Sequence, residues 1–224
     1  MRAALFDFGG TLDTDGVHWS EKFWDLYQKH RIAIPKAAYE KAFIESDRRL
    51  MDDPAISRAT FHETLRKQLT LQFSILGLGS HDRVLSTITD DCYNEVQLSI
   101  SRAKTILAGL KAKYKLALVS NFYGNLDVVC REFGLDRLFD AAVDSVVVGI
   151  KKPDPAIFGE ALKQLHVTGR EAYVVGDSYE RDIVPGKSLG CTTIWLKGKS
   201  WTMPASTEAA DHIIDSFQQI KKLL

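Results

Sequence analysis

The chain has no surplus of either charge. Lysine and arginine number 29, aspartate and glutamate 29, and the formal net charge is zero. No basic excess exists to displace counterions from a polyanion, so nucleic acid is not an expected partner. No apolar run approaches the roughly 18 residues of a membrane span, and no basic segment leads an apolar stretch into a small-residue cleavage site. The expectation is a cytoplasmic protein with no membrane partner. Cysteine is scarce: Cys92, Cys130 and Cys191 are isolated and odd in number, with no CxxC pair. They exclude a disulfide framework and read as small buried apolar side chains in a reducing compartment. The six histidines are scattered, which argues against a zinc site. Internal repeats and low-complexity segments are missing as well. Oligomeric state leaves no trace in the sequence. What is present is ordinary globular composition over 224 residues, enough for one core or a core with a smaller appended domain.

Short apolar runs at 3–8, 116–120, 141–145, 173–175 and 192–196 are spaced by helical patterns. They are near-continuous rather than alternating, as expected of parallel strands covered on both faces. Between them, residues 104–114 read as a helix, and 126–133 as a second one ending at Gly134. Asp154-Pro155 reads as an N-cap followed by proline, opening a helix to about residue 165. Residues 182–189 end at Gly190 in the manner of a glycine C-cap. Alternating strand and helix predicts an α/β, doubly wound parallel sheet.

The segment 14–101 holds no strand signal. Phe23 and Tyr27 share a helical face, as do Phe61, Leu65 and Leu69 at four-residue steps. Val84, Ile88, Cys92 and Val96 continue the pattern behind a Ser80 cap. The segment is expected to be a helical domain inserted between the first two strands. The core would then comprise 1–13 and 102–224, with hinges near 14–17 and 99–103.

In an open parallel sheet, ligands sit beyond the carboxyl ends of the strands. Asp7, Ser120 and Asp177 each follow an apolar strand candidate and should meet on one rim. Asp182 follows Asp177 by five residues, and Lys152 adds a cation after the third strand. Strand-to-helix loops are rich in Asp, Ser and Gly for turn-forming reasons alone, but the joint placement is harder to explain that way. Two acidic strand ends suggest a shared divalent cation and a carboxylate free to act as a nucleophile.

These residues fall in Asp7-Phe8-Gly9-Gly10-Thr11-Leu12, Ser120-Asn121, Lys152-Pro153-Asp154-Pro155 and Gly176-Asp177-Ser178 with Asp182. In that order they resemble the four motifs of the haloacid dehalogenase-like hydrolases, with the insertion where that family carries a helical cap. The resemblance implies a Rossmann-like core and a Mg²⁺-dependent phosphatase acting on a small phosphorylated metabolite. It implies Asp7 as the nucleophile that becomes an aspartyl-phosphate, with Ser120 and Lys152 holding the phosphoryl oxygens. It further implies Asn121 and Gly10 near the substrate. Mg²⁺ would be held by Asp7, the Gly9 carbonyl, Asp177 and Asp182.

One position departs from the pattern. Family phosphatases carry a second aspartate two residues after the nucleophile, which protonates the leaving oxygen and then activates water. Here that residue is Gly9. Four readings stay open. Proton transfer comes from water or from Asp13, Asp15 or His18 on the following loop. Or the protein is a metal-independent 2-haloacid dehalogenase. Or it is a phosphonatase-like hydrolase drawing on Lys22, Lys29, Lys36 or Lys41. Or it binds metal and phosphate without turnover. Within the insertion, Trp19, Trp24, Arg58, His62 and the pair Arg48-Arg49 are candidate substrate contacts, with Arg48 put forward to meet an anion; the aromatics read equally as cap core, and Glu45-Ser46-Asp47-Arg48-Arg49 as a solvated helix face paired within itself.

Overall fold

The computed structural model describes residues 1–79, 82–201 and 204–224 of the chain. The Ser80 cap lies outside the described residues. The chain enters through β1 (Ala3–Phe6), passes four helices α1 (Trp19–Lys29), α2 (Lys36–Met51), α3 (Phe61–Ile75) and α4 (Asp82–Lys111), and returns as β2 (Lys115–Ser120). The remainder alternates: α5 (Leu126–Glu132), β3 (Ala141–Asp144), α6 (Ser145–Val148), α7 (Ala156–Leu165), β4 (Ala172–Gly176), α8 (Val184–Ser188), β5 (Thr192–Leu196) and β6 (His212–Ile214). The strands form one six-stranded sheet in the order β3-β2-β1-β4-β5-β6. Every pairing is parallel. The chain winds outward from β1 in one direction, then outward from β4 in the other. The crevice at this reversal lies beyond the ends of β1 and β4, where open α/β sheets bind ligands.

Both sheet faces are covered, which is why the strands read as unbroken apolar runs. Ala3 and Leu5 pack on one side with Ile157, Phe158 and Ala161 of α7. Ala4 and Phe6 pack on the other, in a cluster that continues without a break into the inserted helices through Phe8, Phe23, Phe61 and Val96. Phe8 meets Phe61 and Phe122 edge to face at 6.1 and 5.5 Å between ring centres. Each such fully buried ring is worth roughly 1.5–3 kcal/mol, so the insertion and the sheet are joined by packing as well as by chain crossings.

Three sequence expectations change. First, α4 is one helix of 30 residues that runs straight through 99–103, where a hinge and the start of a separate helix were expected. Its buried stripe of Leu85, Ile88, Cys92, Val96, Ile100, Ala103, Leu107 and Leu110 keeps helical spacing throughout. No glycine or proline interrupts it before Gly109, so nothing ends the hydrogen-bond ladder. Val84 is exposed, and Leu85 takes its expected place in the stripe. Second, the expected helix at 182–189 begins instead with a π-helical turn, Tyr179–Ile183, ahead of α8. Third, the sheet gains β6, a strand of only three residues.

Candidate active site

Asp7 extends β1 by one residue: its N–H donates to Val175 O at 2.9 Å, which fixes the backbone against β4. Its side chain turns into the crevice and is 6% exposed. Oδ1 accepts from Ser120 Oγ at 3.2 Å and from Lys152 Nζ at 2.6 Å. Oδ2 lies 3.4 Å from Thr11 Oγ1. The Thr11 hydroxyl also sits 3.3 Å from Asp177 Oδ1 and accepts the Asp177 N–H at 3.0 Å. Lys152 reaches Asp182 Oδ1 at 2.6 Å as well. Asp182 Oδ2 accepts the Ser178 N–H at 3.1 Å, a contact that the π-helical turn creates by swinging Asp182 back over the end of β4.

Two glycines make room for this cluster. A Cβ on Gly10 would lie 2.3 Å from Asp177 Oδ2, and Gly10 has φ +95°. A Cβ on Gly176 would lie 2.3 Å from Asp182 Oδ2. Neither overlap is physically allowed, so the glycines are what let two carboxylates approach Asp7.

The cluster is electrostatically overloaded. One oxygen from each of Asp7, Asp177 and Asp182 falls within 4.8 Å of the others. Burial, then the charges of Asp7 and Asp182, push the Asp177 carboxyl well above the usual range. Burial raises Asp182 to about 6, opposed by Lys152. Burial also works against the Lys152 charge, but Asp182 and Asp7 outweigh it and its pKa is raised. One ammonium thus faces three carboxylates. Like-charged carboxylates this close need a proton or a further cation, and the donor set is all hard oxygen, which suits Mg²⁺. Among the described residues no backbone N–H donates to the Gly9 carbonyl, which leaves that oxygen free as a ligand.

The other expected site residues are placed differently. Asn121 makes two hydrogen bonds to the main chain of Lys152: its Nδ2 donates to the Lys152 carbonyl at 3.1 Å and its Oδ1 accepts the Lys152 N–H at 2.8 Å. These bonds hold the lysine main chain in place and use one of the two Nδ2 hydrogens. The Gly10 N–H is engaged by Asp13 Oδ1 at 2.7 Å. Arg48 lies on the surface of α2: its side chain is 63% exposed and pairs with Glu45 and Asp52. The i,i+3 and i,i+4 spacing of those partners keeps it on a solvated helix face. Asp47, beside it, turns inward instead and accepts from Tyr123 Oη at 2.6 Å, linking α2 to the loop after β2. Lys22 and Lys29 pair with Glu95, and Lys36 with Glu21, so these three lysines are held on the helices by carboxylates.

Thr11 and Asp13 had weaker sequence signals. Thr11 bridges Asp7 and Asp177. Asp13 is 1% exposed and accepts from Trp19 Nε1 at 2.8 Å. Burial raises its carboxyl to about 7, against the hydrogen bonds from Gly10 and Trp19.

The sequence profile of haloacid dehalogenase-like hydrolases matches residues 1–190. The chain belongs to the haloacid dehalogenase-like hydrolase family. It is 26% identical over 231 aligned positions to mouse haloacid dehalogenase-like hydrolase domain-containing protein 3, covering 98% of this chain and 92% of that one. A shorter match, 38% identical, joins 40% of this chain to 38% of the glyceraldehyde 3-phosphate phosphatase of Pyrococcus furiosus. Among solved structures, the L-2-haloacid dehalogenase of Xanthobacter autotrophicus superposes with a TM-score of 0.62 at 18% identity, over 100% of this chain and 98% of that one. At that identity the likeness concerns the fold. The family member described here is therefore a hydrolase with an α/β Rossmann-like core. Among the described residues, no helix is long and apolar enough to cross a membrane.

Proposed function

We propose that this hydrolase is a Mg²⁺-dependent phosphatase of a small phosphorylated metabolite, with Asp7 as its nucleophile and the cytoplasm as its compartment. The observation that carries the reading is the pairing of Lys152 and Ser120 on Asp7 Oδ1 beside two further acidic side chains. Displacement of halide by a carboxylate needs no divalent cation, whereas attack of a carboxylate on a phosphate dianion does, and Asp7, Asp177 and Asp182 would hold one. The short match to a phosphatase of a three-carbon phosphate points the same way.

In this reading Asp7 attacks phosphorus as the bond to the leaving oxygen breaks, and water then cleaves the aspartyl-phosphate. Lys152 and Ser120 hold the phosphoryl oxygens, and Thr11 fixes Asp7 against Asp177. Mg²⁺ held by Asp7, the Gly9 carbonyl, Asp177 and Asp182 would screen the repulsion between nucleophile and phosphate. The segment 14–101 acts as the cap over this rim, and the Asp47–Tyr123 hydrogen bond marks where cap and core meet.

The absent carboxylate at position 9 favours one second reading, the dehalogenase, because displacement of halide needs no proton. A panel of phosphate esters assayed with Mg²⁺ and with chelator, alongside halide release from 2-haloacids, separates the two. Chelator-sensitive phosphate release that disappears in Asp7→Asn is expected. Halide release indifferent to chelation would overturn the phosphatase reading.

A further inference from the structure

Breaking an alkyl phosphate ester requires a proton on the departing oxygen, and cleaving the aspartyl-phosphate requires one taken from water. Gly9 has no side chain to carry it. Trp19 shows where such a group would lie. A Cβ on Gly9 would sit 3.5 Å from both Cδ1 and Nε1 of Trp19, so a carboxylate there would meet the indole N–H. That N–H is already taken, donating to Asp13 Oδ2 at 2.8 Å. Asp13 Oδ1 accepts the N–H of Gly10, the next residue along, at 2.7 Å. A carboxylate six residues after the nucleophile thus holds the donor that one two residues after it would use.

We propose that Asp13 is the general acid and base of the hydrolysis, in place of the side chain that position 9 lacks, with Trp19 as its positioning residue. The proposal rests on the phosphatase reading of the site. In the first half-reaction the bond from Asp7 to phosphorus forms, the bond to the ester oxygen breaks, and Asp13 gives that oxygen its proton. In the second, the Asp13 carboxylate takes a proton from water as the water oxygen bonds to phosphorus. The bond to Asp7 breaks, inorganic phosphate leaves, and Asp13 is again neutral. Burial favours the neutral form, placing the carboxyl at about 7, where both forms are accessible. The titratable groups facing it are Asp7 on its own loop, Asp177 after β4, Tyr123 after β2 and Cys92 of α4, none of them cationic.

The test compares wild type, Asp13→Asn and the Gly9→Asp/Asp13→Asn double variant on aryl and alkyl phosphates, with rapid mixing and a melting curve for each. Asp13→Asn is expected to release aryl alcohol in a single-turnover burst and then stall, with phosphate retained on Asp7. On alkyl esters it should show no burst and lose roughly 10²–10⁴-fold in rate. The double variant should recover alkyl turnover, because position 9 then carries a carboxylate beside the Trp19 indole. Equal slowing of burst and steady state on both substrates, without rescue, would make Asp13 a structural residue and overturn the proposal. Should Asp13→Asn fail to fold, wild type still decides: rates nearly independent of leaving-group pKa support an internal acid, and a steep dependence overturns it. Failure of the phosphatase reading looks different, since wild type would then hydrolyse no phosphate ester at all, and the role assigned to Asp13 would fall with it.

Discussion

The Lys152 ammonium lies 2.6 Å from Asp7 Oδ1, with the two side chains only 3% and 8% exposed. The same ammonium holds Asp182 at 2.6 Å. Removing one partner of a buried ion pair strands the other, at a cost of about 3–5 kcal/mol. Lys152→Met should therefore lower the stability of the metal-free protein by that order and abolish phosphate release. Denaturant unfolding of wild type and variant checks the first part. Unchanged stability would mean that the three carboxylates hold protons rather than rely on the lysine.

Metal binding should show itself without any assay of turnover. A cation bound only by the folded state raises the melting temperature as its concentration exceeds Kd. Mg²⁺ should stabilise wild type, and Asp177→Asn should weaken that effect strongly, because it replaces one of the three clustered carboxylates by a neutral amide. Titration by differential scanning calorimetry reads both. Identical Mg²⁺ shifts in the two proteins would remove Asp177 from the ligand set.

Asp13 has a pH signature of its own. Its folded pKa, about 7, stands above the ordinary 3.8 because burial disfavours the charged form. A carboxyl raised on folding adds stability that is full below the unfolded value and is lost as pH rises through the folded one. The metal-free protein should therefore lose stability between about pH 4 and pH 7, by an amount on the order of a few kcal/mol. Asp13→Asn should flatten that part of the profile. A slope that persists unchanged in the variant would assign it to other groups.

The hydrogen bond from Tyr123 to Asp47 joins the loop after β2 to α2, and burial raises the pKa of both groups. Tyr123→Phe leaves the Asp47 carboxyl without that donor, a change worth about 1–3 kcal/mol. If this contact helps seat the cap, KM should rise more than kcat falls. Steady-state kinetics on the best phosphate ester would decide, and a pure loss of kcat would place Tyr123 in the chemistry instead.

Much of the core was open to reading because a parallel strand covered on both faces leaves a continuous apolar run, and at three of these runs a polar side chain stands at or just beyond the strand end. Asp7, Ser120 and Asp177 were found that way. β6 escaped because its three residues, His212–Ile214, sit between Asp211 and Asp215 with only two apolar side chains among them. The length of α4 was in the sequence, since no glycine or proline interrupts residues 82–108, but the expected domain boundary hid it. The ion pairs of Arg48 were legible in Glu45 and Asp52, at helical spacing. Asn121 and Asp13 are another matter. The partners that define them, the Lys152 main chain and the Trp19 indole, come together only when the rim folds.

Gly9 and Gly10 are adjacent, and the structure gives them opposite tolerance to a side chain. At Gly10 the backbone has φ +95° and a Cβ would fall 2.3 Å from the Asp177 carboxylate. Gly10→Ala must strain the backbone and displace the Asp177 side chain at once. It should cost on the order of 1–3 kcal/mol for the backbone conformation alone, and it should abolish Mg²⁺-induced stabilisation. At Gly9 no such φ applies, and the Cβ would meet only the Trp19 ring edge at 3.5 Å, an ordinary contact. Gly9→Ala should stay within about 1 kcal/mol of wild type and keep its response to Mg²⁺. Melting curves of the two variants with and without Mg²⁺ measure both properties together. If Gly9→Ala proved as damaging as Gly10→Ala, glycine at position 9 would be a backbone requirement, and restoring a carboxylate there would be no test of the missing acid.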